Sequence, residues 1–263
     1  MGSKAAPVLK LPYWPISPSR RHHPVNNAFT RKLILFLLFI CGIHPNPGPA
    51  PSVSSPLPII LQLNCNGLKN SVSELDSFLN TKRISVAAIQ KTFLTSSSSP
   101  PIVPGFTLVR KDRLRGRGGG LGFFIHHSIT YSTIDTSFFQ DSHMEVLAIK
   151  VNINNSDLII FNVYIPPVSS CPQSYRPDLS SILNCPDEDI IVCGDLNAHH
   201  EAWDAFLADP RGELLSNDIE ISPLIILNDS GSPTRLPKSG SPSSPDLSLA
   251  SAHVALAATW ETQ

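Results

Sequence analysis

The apolar run Ile190-Ile191-Val192-Cys193 passes directly into Gly194-Asp195-Leu196-Asn197-Ala198-His199-His200. A run this short and rich in β-branched side chains fits a strand buried on both faces better than a helix. Such a strand has no packing reason to finish with an acid two residues before an amide. Polar groups at the carboxyl end of a buried strand are how a sheet lines a cleft. An acceptor that orients water beside a donor that holds a phosphoryl oxygen suits metal-assisted attack on a phosphodiester.

Other apolar runs end in the same way. Leu61-Gln62-Leu63 leads into Asn64-Cys65-Asn66-Gly67, Ala87-Ala88-Ile89 into Gln90-Lys91-Thr92-Phe93, and Phe161-Asn162-Val163 into Tyr164-Ile165-Pro166. Taken singly, these have plain explanations, since Asn and Gly form turns and an aromatic at a strand end packs. Arg110, Lys111, Arg113, Arg115 and Arg117 crowd one segment ahead of Gly118-Gly119-Gly120. It is either a solvated surface turn or a loop that tracks phosphates, because Arg forks onto phosphate and glycine admits close backbone approach. It is not a P-loop, since no Gly-Lys-Ser/Thr follows.

Composition bounds the rest. Hydrophobic residues make up 41% of the chain, enough for a real core, while a net charge of −1 leaves nucleic-acid binding to a local patch. The cysteines (41, 65, 171, 185, 193) show no Cys-x-x-Cys and no zinc spacing. Cys65 and Cys193 read as small buried hydrophobes, and a Cys171–Cys185 bridge stays open. Periodicity predicts strands at 58–64, 84–90, 105–109, 120–126, 144–152, 157–164, 189–194, 224–228 and 246–250. Helices are expected at 71–82, with Val72, Leu75, Phe78 and Leu79 on one face, and near 178–184, followed by a helix-plus-loop region to about 222. Many short strands with few helices predict a sandwich of two mainly antiparallel sheets.

Prolines crowd residues 7–58 and 233–245, so residues 1–57 are read as a disordered segment and 58–263 as the domain. Within the first segment, apolar residues 33–40 follow Arg31-Lys32 and fall far short of the roughly 20 that span a bilayer, so no membrane partner is expected. The stretch has the shape of a displaced signal-peptide core. Running on into Asn46-Pro47-Gly48-Pro49, it also resembles the ribosome-skipping (2A-like) peptides, with Gly42 and His44 where those carry Asp and Glu. Separation there would make Pro49 the first residue of the domain.

The strand-end motifs, in their order, resemble those of the endonuclease/exonuclease/phosphatase superfamily. Trp203 after the two histidines, Ser232-Pro233-Thr234-Arg235 and Ser243-Ser244-Pro245-Asp246-Leu247 are most similar to the nicking-endonuclease domain of non-LTR retrotransposons. The resemblance covers roughly residues 58–260 and implies an α/β four-layer sandwich, two sheets face to face with helices outside. It implies Mg²⁺- or Mn²⁺-dependent hydrolysis of a phosphodiester, nicking chromosomal DNA in the nucleus to prime reverse transcription. DNA and a reverse transcriptase domain of the full-length element would be the partners, with no small-molecule cofactor.

By the same resemblance Asn64 organises metal and scissile phosphate, with Asn66 beside it. Tyr164 and Asn197 hydrogen-bond the phosphate, Asp195 orients the attacking water, and Asp246 orients a catalytic His. Arg113, Arg115, Arg117, Thr234 and Arg235 contact DNA. His199 and His200, being neighbours, are expected in structural or DNA-proximal roles. Two departures stand out. Lys91 occupies the position of the superfamily's metal-binding Glu, and an ammonium cannot ligate Mg²⁺. The Ser-Asp-His motif expected some tens of residues after Asp246 is absent before Gln263, which implies a C-terminally incomplete domain, and His253 is no substitute. The expected function is therefore DNA nicking, impaired in this copy. The alternatives are an inactive DNA-binding remnant or a phosphatase or sphingomyelinase of the same fold.

Overall fold

The computed structural model describes residues 58–113, 118–139, 141, 143–153, 156–185 and 189–263, and the backbone of 36–40. The first sheet contains β1 (Phe36–Ile40), β2 (Ile59–Asn64), β3 (Val86–Gln90), β4 (Phe106–Lys111) and β5 (Leu121–His126). The second contains β6 (Thr130–Ile134), β7 (Glu145–Ile153), β8 (Ser156–Tyr164), β9 (Ile190–Asp195), β10 (Leu224–Ile226) and β11 (Asp246–Ser251), after which β12 (Ala258–Thr262) returns to the first. The strand orders are β12-β1-β2-β3-β5-β4 and β10-β11-β9-β8-β7-β6. Among the described residues β2–β3 and β8–β9 pair in parallel and the other neighbours are antiparallel.

The pleat sorts side chains into layers, because successive residues of a strand face opposite ways. Ile60, Val86, Ala88, Leu121, Phe123 and Ile125 of the first sheet meet Ile149, Ile160, Ile191, Cys193 and Ala250 of the second to form the inner core. Their neighbours Leu61, Leu63, Ala87, Ile89 and Phe124 face outward onto α1 (Val72–Thr81), through Leu75 and Leu79. On the other side, Phe161, Val163, Val192, Leu247 and Leu249 face α2 (Ser180–Leu183) and α3 (Pro210–Glu220), packing on Ile182, Leu183, Leu215, Ile219 and the fully buried Trp203. Helix α3 starts cleanly because Asp209 accepts a bond from Gly212 N at 2.7 Å and Pro210 takes the first turn. The four layers match the expected sandwich.

The structure adds elements that periodicity does not reveal. β6 is a largely exposed edge strand whose Thr and Ser carry no apolar alternation. α4 (Ala252–Ala257) turns Val254 into the inner core and leads the chain from β11 into β12. Residues 36–40, assigned by sequence to a disordered segment, are corrected here to a strand between β2 and β12. The Asn46-Pro47-Gly48-Pro49 turn lies outside the described residues. Among the described residues no helix is long and apolar enough to cross a membrane.

Gly194 answers a backbone constraint. A Cβ there would fall 1.9 Å from the carbonyl oxygen of Val163 on the adjacent parallel strand. Gly194→Ala should therefore lose on the order of 3 kcal/mol of stability in urea denaturation; an unchanged midpoint would mean that β8 and β9 can move apart freely. A chain starting at Pro49 should melt lower and be cut faster at 258–262, because β2 and β12 both lose a ladder partner. Equal melting temperatures would show that β1 adds nothing.

Candidate functional site

The alternation that builds the inner core also delivers polar groups at one end of the sandwich. Along β2 the inward positions run Ile60, Gln62, Asn64; along β3, Val86, Ala88, Gln90; along β8, Ile160, Asn162, Tyr164; and along β9, Ile191, Cys193, Asp195. The two parallel pairs bring their carboxyl ends to the same edge, and antiparallel β11 sets its first residue, Asp246, opposite Asp195. Asn64, Lys91, Tyr164, Asp195, Asn197 and Asp246, far apart in sequence, meet there.

Asp195, 2% exposed, is the hub. Its Oδ2 accepts from Asn64 Nδ2 at 2.5 Å and lies 3.2 Å from Lys91 Nζ, while its Oδ1 accepts from Asn197 Nδ2 at 2.7 Å. Burial raises its carboxyl above the ordinary range, opposed by Lys91, the Asn197 N–H and Asn64. These groups are all donors, so the hub is built for a carboxylate. Burial works against charge on Lys91, but Asp195 overrides it and holds the ammonium above its usual range. Asn197, at φ 45°, spends its amide on Asp195 and on Ile165 O at 2.9 Å. The backbone N–H groups of Leu196 and Asn197 tie the same loop to Pro245 O.

Asp246 is held differently. Gln62 Nε2 donates to its Oδ1 at 3.1 Å and Thr234 Oγ1 to its Oδ2 at 2.7 Å. Burial, then the charge of Asp195, push its pKa up to about 8. Lys91 Nζ lies 5.0 Å and Arg113 Cζ 5.6 Å from the Tyr164 ring centroid. Arg113 Nε pairs with Glu145 Oε1, and Glu145 Oε2 accepts from Gly120 N at 2.6 Å. Behind them Gln90 Nε2 donates to Asn162 Oδ1 at 2.7 Å, and Asn162 Nδ2 to the carbonyls of Ile89 and Gly122. Gln62 Oε1, Asn64 Oδ1 and Gln90 Oε1 are buried without a hydrogen-bond partner.

Some expected site residues fall elsewhere. Thr234, expected at DNA, is 3% exposed and braces Asp246 instead. Asn66, expected near the metal, is exposed in a turn at φ 47°. Arg235 is exposed, with its backbone bridged to Ser243. Arg115 and Arg117 lie outside the described residues. His199 Nδ1 bonds Asp204 Oδ2 at 2.7 Å, which also accepts from Ser244 N, so this histidine links the loop after β9 to the approach of β11. Trp203 closes that loop through Nε1 to Ala198 O at 3.1 Å. Sequence reasoning missed Gln62, Gln90, Asn162 and Glu145. A polar residue at an inward position of an apolar strand was the available signal for the first three.

A divalent ion of the kind the resemblance implies does not fit this arrangement. Mg²⁺ needs hard anionic oxygens. Here Asp195 is engaged by an ammonium, Asp246 is bound by two donors, and Glu145 is paired with Arg113. No group of three His, Cys, Asp or Glu that could hold a metal occurs among the described residues.

Residues 158–263 match the family model described as endonuclease-reverse transcriptase. The chain is 23% identical over 185 residues, 70% of its length, to the "Probable RNA-directed DNA polymerase from transposon BS" of Drosophila melanogaster. It spans only 20% of that relative. The endonuclease domain of TRAS1, a telomere-specific non-LTR retrotransposon, superposes with a TM-score of 0.55 at 17% identity, over 73% of this chain and 84% of that one. An AP endonuclease from Leishmania major gives 0.57 at 15%, over 75% and 80%. A 3' phosphatase from Neisseria bound to a product DNA hairpin gives 0.53 at 13%, over 75% and 88%.

The raised Asp246 carboxyl gives a pH test. The folded state keeps its proton up to about pH 8, whereas the unfolded chain releases it near the ordinary value of about 4. Between these values the folded state binds the extra proton, so this site's contribution falls as pH rises through the window. The melting temperature of Asp246→Asn, relative to the parent, should climb by several degrees from about pH 4 to about pH 8. A pH-independent difference would show that Asp246 titrates normally.

Proposed function

We propose that this chain, which has the endonuclease/exonuclease/phosphatase fold and whose residues 158–263 match the endonuclease–reverse transcriptase family, is the DNA-nicking domain of a non-LTR retrotransposon in a hydrolytically impaired form. The observation that carries the proposal is the ion pair between Lys91 Nζ and Asp195 Oδ2, 3.2 Å apart in the cleft where the strand ends converge. An aspartate meant to orient a water needs a free lone pair and a negative charge. Here Asp195 meets three donors, one of them a full positive charge. Asn197, whose amide would hold a phosphoryl oxygen, has given its donors to Asp195 and Ile165. The polar groups of a nuclease cleft are therefore present but bonded to one another.

Ligand recognition suffers less from this than hydrolysis does. The Tyr164 ring, the Lys91 ammonium and the Arg113 guanidinium lie together and are suited to a phosphate backbone. DNA is the proposed partner, a reverse transcriptase segment of the same element the proposed neighbour, and the nucleus the place of action. Mg²⁺-dependent hydrolysis belongs to the ancestral activity, and Lys91 stands in its way.

Lys91→Glu should raise nicking of supercoiled plasmid in Mg²⁺ by about 100-fold or more, since single groups that stabilise charge in such sites contribute on that order. Adding Asp195→Asn should remove the gain. A parent chain that already nicks as fast as Lys91→Glu would reject the impairment, and a Lys91→Glu chain that stays inert on DNA at every concentration would reject Lys91 as its cause.

A further inference from the structure

We infer that Lys91 is a resident cation: its ammonium engages the phosphate of a bound phosphodiester in place of a divalent ion, so that ligand binding in this cleft needs no metal. The inference rests on the nucleic-acid reading given above and adds to it a definite cation requirement.

Placement supports it first. Lys91 has a left-handed backbone at φ 54°, fixed by bonds from Gly67 N to its carbonyl at 2.8 Å, Thr92 N to Gly120 O at 3.0 Å and Phe93 N to Gly119 O at 2.9 Å. Its side chain therefore leaves from a pinned turn, not from a loose loop tip. The ammonium offers three N–H donors, of which the Asp195 contact at 3.2 Å uses one, and 20% of the side chain is open to a ligand.

Charge balance supports it second. Without a metal, a cleft holding the charges of Asp195 and Glu145 would repel a phosphate. Lys91 offsets Asp195, and Arg113 offsets Glu145, while both cations stay beside the Tyr164 ring. The carboxylates that a divalent ion would need are spent on these partners, and no alternative group of three ligands occurs among the described residues. The two pairs leave the cleft close to neutral, and the remaining donors of the ammonium meet the phosphate without a metal.

The test compares the full chain with Lys91→Met, Lys91→Arg and Lys91→Glu, using a fluorescent duplex DNA, inorganic phosphate and Mn²⁺ as probes. In EDTA the parent should bind the duplex with an affinity that Mg²⁺ changes by less than about twofold, and Lys91→Met should bind about tenfold more weakly. Lys91→Arg, which keeps the charge without the methionine's loss of the ion pair, should retain binding and guards against a folding artefact. Lys91→Glu should bind poorly in EDTA and gain one Mn²⁺ by electron paramagnetic resonance, where the parent shows none. A parent that takes up Mn²⁺ in the cleft, or whose DNA affinity rises tenfold or more with Mg²⁺, overturns the inference, as does Lys91→Met binding like the parent in EDTA. If no form binds DNA, the nucleic-acid reading fails. Broadening of the inorganic phosphate ³¹P line in EDTA then decides the cation role alone: broadening by the parent and not by Lys91→Met upholds it, and equal behaviour rejects it.

Discussion

A carboxylate buried between two sheets must be compensated by its surroundings, and the upper end of this sandwich is organised around that requirement. Asp195 rises from the second sheet and is met from the first by Asn64 and Lys91. Further polar contacts cross the same gap, among them Gln62 to Asp246, Gln90 to Asn162, and Asn162 to the carbonyls of Ile89 and Gly122. The lower end is joined by ordinary apolar packing, including Phe123, Ile149 and Ile160. The two ends therefore cohere by different physics. The apolar half is stabilised by removal of surface from water, whereas the polar half holds only while each charge keeps its partner. At 3.2 Å the Lys91–Asp195 attraction is worth about 5 kcal/mol at an effective dielectric near 20, much of it offset by desolvation. Its larger effect is to forbid arrangements in which either partner stands alone.

Backbone strain collects at the same end. Asn66, Lys91, Phe93 and Asn197 are non-glycine residues with positive φ, and they follow the ends of β2, β3 and β9. For asparagine this costs little, but the side chains of lysine and phenylalanine form no local hydrogen bond to their own backbone to offset it. Strained residues persist where surrounding bonds over-determine them. That condition is met here by the links from Gly67 N to Lys91 O and from Phe93 N to Gly119 O. The turn that presents Lys91 is thus tied to the backbone on both sides.

The sequence announces the strands because their apolar runs are long enough to leave a period, and it announces Asp195 and Asn197 because an acid and an amide have no packing role at a buried strand end. Gln62 and Asn162 were equally legible in principle. Each interrupts an apolar strand at an inward position, yet within one strand a single amide looks like noise until the register sets it against a partner. Thr234 is expected at DNA only through the resemblance of its Ser-Pro-Thr-Arg segment, and only the fold shows it passing over the buried Asp246. The pairing of Glu145 with Arg113 joins β7 of the second sheet to the segment after β4 of the first, and no local pattern encodes it. β1 escaped for a different reason: the proline-rich context around Phe36–Ile40 outweighs its apolar composition, and only its pairing with β2 and β12 identifies it.

The position of Lys91 sets the cleft's charge economy as well as its geometry. Three carboxylates, Asp195, Asp246 and Glu145, lie at one end of the sandwich, and buried anions are tolerated only with counter-charge or a bound proton. Asp246 meets the need with a proton, Glu145 with Arg113, and Asp195 with Lys91. A glutamate at position 91 would turn the last arrangement from balanced to doubly negative and would leave the fold dependent on a cation from solution. On the proposed reading, the lysine removes that dependence at the cost of the free carboxylate oxygens that such a cation would organise for hydrolysis. Loss of metal chemistry and independence from metal would then be two consequences of the same 3.2 Å contact.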